Sequence, residues 1–171
     1  MARRASGRTD AMASRFGLEI RAADAGDVEG LAGLLVSHSA AGDARTLGSR
    51  LQNMRAGDGL VLVAMEWGPP SGVIALSWNW SLNADLRTAH ITTLVVAPEA
   101  RRRGIARLLL KAASQGARSA HCGELVIMAR GDAPHINDFC LATGFTESGN
   151  VFSRSLRKGS SDSAAARKRT G

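Results

Sequence analysis

The sequence has no tyrosine, two cysteines and four prolines, and aromatic residues make up 4% of its 171 positions. Two cysteines in a chain this long exclude a disulfide scaffold, so Cys122 and Cys140 read as free thiols. No apolar run approaches the ~20 residues that cross a bilayer, so a membrane partner is not expected. The start, MARRASGRTDAMASR, lacks the apolar stretch of a secretory signal. It is Arg- and Ser-rich like a transit peptide, but short and interrupted by Asp10. Without leader, span or cysteine framework, the cytoplasm is the expected compartment. The four histidines and two cysteines show neither CxxC nor HExxH, so no metal is expected. Internal repeats, a P-loop and a GxGxxG string are also missing.

What the chain does have is positive charge: 22 Lys plus Arg against 15 Asp plus Glu, a net +7. Such an excess suggests a nucleic-acid or membrane partner, but its distribution argues otherwise. Residues 1–15 carry a net +3, residues 157–171 a net +4, and residues 16–156 are neutral. The organisation read from this is a basic, disordered N-terminal extension (1–15), one folded domain (16–156) and a basic, disordered tail (157–171). Met12 offers a second start. A nucleic-acid role through the tails is a competing reading, and the neutral centre without aromatic–basic interleaving speaks against specific binding.

Hydrophobic periodicity lays out the centre. Leu18–Ala22 alternates as a short strand. Asp24 and Asp27 offer N-caps to a helix over Ala25–His38, and a second helix runs from Asp43 to about Arg55 until Gly57-Asp58-Gly59 breaks it. Leu60–Glu66 is a strand. Val73–Leu82 alternates, with Ile74, Leu76, Trp78, Trp80 and Leu82 on one side, as a half-buried antiparallel strand does. Trp78 and Trp80 are therefore expected in the core, with a pocket wall as the other reading, and Trp67 before a turn is expected part-exposed. Arg87–Val96 is a strand ended by Pro98. From Gly104 to Arg118 a helix aligns Ile105, Leu108, Leu109, Ala112, Ala113 and Gly116. Leu125–Ala129 reads as a central strand buried on both faces. Strand, helix and strand over 87–129 imply a parallel pair. A helix over Asp132–Thr143 and a strand over Val151–Leu156 close the chain.

The segment Leu94–Ala106 (LVVAPEARRRGIA) joins a strand to a helix start. First-turn amides have no intrahelical acceptor, and with the helix dipole they favour phosphate. Gly104 and Ala106 let an anion approach the backbone, and Arg101, Arg102 and Arg103 add charge. An ordinary connection with solvated arginines is the competing reading of that string alone.

LVVAPEARRRGIARLLL resembles the acetyl-coenzyme A loop of the GNAT N-acetyltransferase superfamily, whose pattern is Gln/Arg-x-x-Gly-x-Gly/Ala. Arg101, Gly104 and Ala106 fill the pattern positions. DFCLATGF at 138–145 is similar to the family's FYxxxGF element, and the order of elements matches over about residues 17–156. The resemblance implies a mixed α/β fold: a mostly antiparallel central sheet, a parallel βαβ crossover at the cofactor site, and flanking helices. It implies acetyl-coenzyme A as cosubstrate and direct acyl transfer to a primary amine of an unidentified small molecule or protein. Leu94, Val95 and Val96 would meet the pantetheine arm. The amides of Arg101, Arg102, Arg103, Gly104, Ile105 and Ala106 would hold the pyrophosphate, with Arg102 or Arg103 reaching the adenosine phosphates. His135 or Asn137 would touch pantetheine or substrate. Homodimers are common in the family, and no residue here decides that point.

The chain departs from the family at the acid–base positions. Cys140 stands where a tyrosine usually protonates the departing thiolate. Two readings stand: a thiol acid, or a small buried side chain with the proton coming from water or the amine. The strand position that often carries a Glu base is near Thr93, which cannot act. His90 is the nearest titratable candidate, acting through water, or else structural. Asp85 and Glu124 are weaker candidates, and His121 is expected in a loop. The alternative to an enzyme is a non-catalytic acyl-coenzyme A sensor on the same fold.

Overall fold

A computed structural model describes residues 17–36, 44–128 and 134–147. They fall into two units, divided between Arg130 and Gly131. The expected strand Val151–Leu156 and both tails lie outside the described residues.

In the first unit the elements are β1 (Glu19–Ala22), α1 (Val28–Val36), α2 (Ala44–Ala56), β2 (Gly59–Met65), β3 (Gly72–Asn79), β4 (Arg87–Val96), α3 (Ile105–Ser119) and β5 (Cys122–Ile127). The strands form one sheet in chain order, β1-β2-β3-β4-β5. The first three pairings are antiparallel and β4–β5 is parallel. This is the expected mixed sheet with its parallel crossover.

Asp24 starts the first helical segment through a capping box. Its carboxylate accepts from the Gly26 amide at 2.8 Å, and Asp27 Oδ2 accepts from the Asp24 amide at 2.8 Å. Asp27 is buried and also takes a two-point ion pair from Arg21 on β1, at 2.8 and 2.7 Å. These hydrogen bonds hold the Asp27 carboxyl below the usual carboxylate range.

Two glycines set how closely helix α3 approaches the sheet. A Cβ at Gly116 would fall 2.3 Å from Leu60 on β2, and one at Gly72 would meet Leu109 and Ile105 at 3.0 and 3.1 Å. A Cβ at Gly59 would instead meet the Met54 carbonyl of α2. Neighbouring strand residues point to opposite faces, so α3 covers one face of β2–β3 and α2 the other. That explains a departure from expectation in β3. Val73, Ile74, Ala75 and Leu76 are all buried, so the strand is covered on both faces rather than one.

The alternating pattern also continues past the real strand. β3 ends at Asn79, Trp78 is half-buried, Trp80 is 60% exposed and Leu82 is fully exposed. Trp78 Nε1 donates to Asp58, and Trp80 leaves the core to stack under Arg87 at 5.1 Å. Conversely, among the described residues the LVIMA run is not flanked on both sides as a central strand is. Among the described residues β5 is the last strand, Leu125–Ile127 are half-buried and Met128 is exposed. Along α3 the buried line is Ile105, Leu109, Leu110, Ala113 and Ala117. Leu108, expected within it, lies at its margin and is 42% exposed.

In the second unit α4 (Pro134–Ala142) ends in a Schellman motif. The Phe145 amide donates to the Cys140 carbonyl at 3.0 Å, and the Gly144 amide to Leu141 at 3.2 Å. Gly144 takes the left-handed φ of +89° that this ending requires.

Candidate functional site

The site begins with an irregularity in β4. On β3, Ala75 and Leu76 are consecutive, but their partners on β4 are Thr93 and Ile91. Thr92 is therefore an extra residue, a β-bulge. Its hydroxyl donates to the Ala75 carbonyl at 3.2 Å. Parallel pairing with β5 ends at the same place, at Ile91 with Ile127. Beyond it, Thr93–Val96 stay paired to β3 alone among the described strands.

Which backbone groups face that unpaired side follows from alternation. The Ala97 amide donates to Ser71 at 2.9 Å, on the β3 side. The Val95 carbonyl lies 3.2 Å from where a Cβ of Gly72 would stand, also on the β3 side. The amides and carbonyls of Leu94 and Val96 therefore face away from β3, along the opening. These are two of the three strand residues expected to meet a pantetheine arm.

β4 leads through a short 3₁₀ turn, Pro98–Ala100, to the start of α3. Arg102 has φ +64° and Gly104, the N-cap residue, φ +81°. Left-handed backbone costs a non-glycine residue about 1–2 kcal/mol, so Arg102 must be held there by its neighbours. Both flanking side chains do this. Arg101 Nε donates to the Val96 carbonyl at 3.3 Å, closing the loop on the end of β4. Arg103 makes a two-point ion pair with Glu66, just past β2, at 2.9 and 2.6 Å.

The curled loop leaves a row of free donors. Among the described residues, none accepts from the amides of Arg102, Arg103, Gly104, Ile105 or Ala106. Successive amides in such turns form an anion-binding concavity, here at the positive end of a 15-residue helix. A Cβ at Gly104 would meet nothing within 4 Å, so the space beside it is open. The donor set suits a phosphate or pyrophosphate.

The expected acid–base residues are placed less decisively. His90 is half-buried, opposite Ser77 on β3 and beside Val126 on β5. Cross-strand partners share a face, so His90, Thr93 and Val95 lie on the α2-covered face. Leu94 and Val96 lie on the α3-covered one. Cys140, in α4, is buried, and burial pushes its thiol above the ordinary range. Asn137 is exposed on α4, and the side chain of His135 is outside the described residues. Asp85, His121 and Glu124 are exposed. No group of metal-binding side chains occurs among the described residues.

Three features of the site were not anticipated from sequence: the bulge at Thr92, the left-handed Arg102 and the Glu66 anchor. The first two are backbone conformations without a local signature. The third joins residues 37 positions apart.

The bulged strand, its opening and the free amides lie together at the junction of β4 and α3. A model of the acetyltransferase (GNAT) family matches residues 34–138. The chain belongs to the GNAT acetyltransferase family. No curated protein matches it. Among solved structures, an acetyltransferase from Trypanosoma brucei is similar at 19% identity and a TM-score of 0.71, covering 81% of this chain and 99% of that one. Glucosamine-6-phosphate N-acetyltransferase from Arabidopsis thaliana superposes with a TM-score of 0.71 at 16% identity, covering 82% and 99%. The aminoglycoside N-acetyltransferase AAC(6')-Iy reaches a TM-score of 0.72 at 19% identity, covering 82% and 98%, in a complex with a coenzyme A–acetylneamine bisubstrate analogue. At these identities the likeness concerns the GNAT fold. Among the described residues, no helix is long and apolar enough to cross a membrane.

Proposed function

We propose that this GNAT protein transfers an acetyl group from acetyl-coenzyme A to a primary amine of a small molecule or protein. The observation that carries the reading is the row of free amides from Arg102 to Ala106, one loop away from the edge of β4 where Leu94 and Val96 turn their backbone away from β3 and no described strand pairs with them. The loop amides would hold the pyrophosphate. The Leu94 backbone and the Val96 amide would bind the pantetheine amides as an added strand does, the Val96 carbonyl being taken by Arg101, and one of the two N–H groups would face the thioester oxygen.

The chemistry asks little of side chains. The amine attacks the thioester carbon, a C–N bond forms, and the developing oxyanion is met by a preorganised N–H. The C–S bond then breaks, the nitrogen loses a proton and the thiolate gains one. Holding both reactants in one geometry can supply ~7–11 kcal/mol of the barrier. His90, on the sheet face covered by the early helices, would take, through water, the proton that an ammonium acceptor must lose before attack, and the proton the nitrogen sheds after attack is the one left for the thiolate. Burial holds the Cys140 proton more firmly than in an ordinary thiol, which weakens that side chain as the acid. We therefore assign the thiolate's proton to the attacking amine, relayed by water. The neighbours' aminoglycoside and amino-sugar names are compatible with an amine acceptor.

The test is release of coenzyme A from acetyl-coenzyme A across a panel of amines and peptides. Amine-dependent release supports the enzyme. Tight coenzyme A binding without release from any acceptor would favour the sensor reading.

A further inference from the structure

We propose that Glu66 is a positioning residue for the cofactor loop: through Arg103 it fixes the Arg102–Ala106 amides in the arrangement that receives the pyrophosphate. The inference rests on the functional reading above and adds a residue outside the loop to it.

Glu66 follows β2, two strands away from the strand that feeds the loop. Its carboxylate accepts from both terminal nitrogens of Arg103, at 2.9 and 2.6 Å, which is the fork geometry of a strong Arg–carboxylate pair. The Glu66 side chain is only 20% exposed, so it is held by its surroundings rather than free to follow the loop. The anchored arginine lies between Arg102 and Gly104, both at positive φ. Strained backbone of this kind persists where the surroundings over-determine it. On the far side of Arg102, Arg101 is bonded to the Val96 carbonyl. The loop is thus pinned on both sides of its strained residue, to β4 and to the end of β2. Arg103 spends its fork on Glu66, so its part in cofactor binding is to shape the backbone rather than to grip a phosphate.

The experiment compares wild type with Glu66→Gln, Arg103→Gln and the double variant. It measures coenzyme A affinity by calorimetry, and turnover with acetyl-coenzyme A and with the acetyl thioester of N-acetylcysteamine, which lacks the pyrophosphate. Each single change is expected to weaken coenzyme A binding by about three- to tenfold. The double variant should be no worse than either single, because the two side chains act as one unit. In Glu66→Gln, KM for acetyl-coenzyme A should rise with kcat unchanged, while turnover of the short thioester stays at the wild-type level. Glu66→Asp should recover part of the affinity. Affinity of Glu66→Gln within 1.5-fold of wild type, or tighter, overturns the proposal, since it would mean that Arg103 is indifferent to Glu66 or is freed to bind phosphate. An equal loss on the short thioester also overturns it, because that indicates general damage. A wild-type protein that binds no coenzyme A would remove the functional reading itself; a binding wild type with an unaffected Glu66→Gln removes only this inference.

Discussion

Replacing Gly104 by alanine isolates the backbone requirement of the loop. Gly104 sits at φ +81° with nothing within 4 Å of where a Cβ would stand. Crowding therefore contributes nothing in the free protein, and the cost is the left-handed conformation, about 1–2 kcal/mol. For a chain of this size each kcal/mol lowers Tm by roughly 2–4 °C, so a drop of about 2–8 °C is expected. Gly33 is the matched control, in helix α1, at ordinary φ and also with nothing within 4 Å. There alanine should stabilise by about 0.5–1 kcal/mol, since glycine is the poorer helix former. Asparagine at position 104 should cost less than alanine, because it tolerates the left-handed region. The added Cβ also projects into the open space beside the free amides. Coenzyme A affinity should fall by about tenfold or more, the equivalent of ~1.4 kcal/mol. Chemical denaturation and calorimetric titration check both parts. Wild-type stability together with wild-type affinity in Gly104→Ala would refute the reasoning.

Further outcomes follow from other parts of the structure. Leu109 is fully buried under the sheet, so Leu109→Ala should cost about 2–5 kcal/mol in urea unfolding. Arg21 holds the Asp27 carboxyl low; such a group stabilises the fold above its unfolded pKa of ~3.9 and loses that contribution as pH falls through the lower folded value. Asp27→Asn should therefore cost about 1.5–3 kcal/mol at neutral pH and flatten the acid limb of the stability profile. Cys140→Ala should keep kcat within about threefold, whereas general acid catalysis by that thiol would show as a loss of roughly 10²–10⁴. Deleting residues 157–171 should leave turnover unchanged, as measured by coenzyme A release.

The parts legible in the sequence were those with local signals. The β4 strand ended by Pro98, the helix beginning after Gly104 and the capping aspartates of the first helix all stand where periodicity and punctuation put them. Burial was less legible, because it depends on what covers a face. β3 alternates like a half-exposed strand, yet α2 and α3 cover both of its sides, while Leu125–Ile127 of the continuous apolar run belong to the last described strand. The same pattern carried Trp80 and Leu82 into the core on paper, although the strand ends before them. At the site, the helix start at Gly104 was readable from the sequence. The bulge at Thr92 was not, since an extra residue in a ladder shows only against its partner strand. Glu66 was hidden for a similar reason: its partner comes from a distant loop, and only the folded sheet brings the two together.

The central claim is that the amides from Arg102 to Ala106 receive the pyrophosphate of an acyl-coenzyme A. Its most direct test is an NMR titration of the ¹⁵N-labelled protein with coenzyme A, followed amide by amide. The expected result is saturable downfield shifts at Arg102, Arg103, Gly104, Ile105 and Ala106, absent when N-acetylcysteamine replaces coenzyme A. Saturable binding that leaves those amides unmoved would contradict the claim.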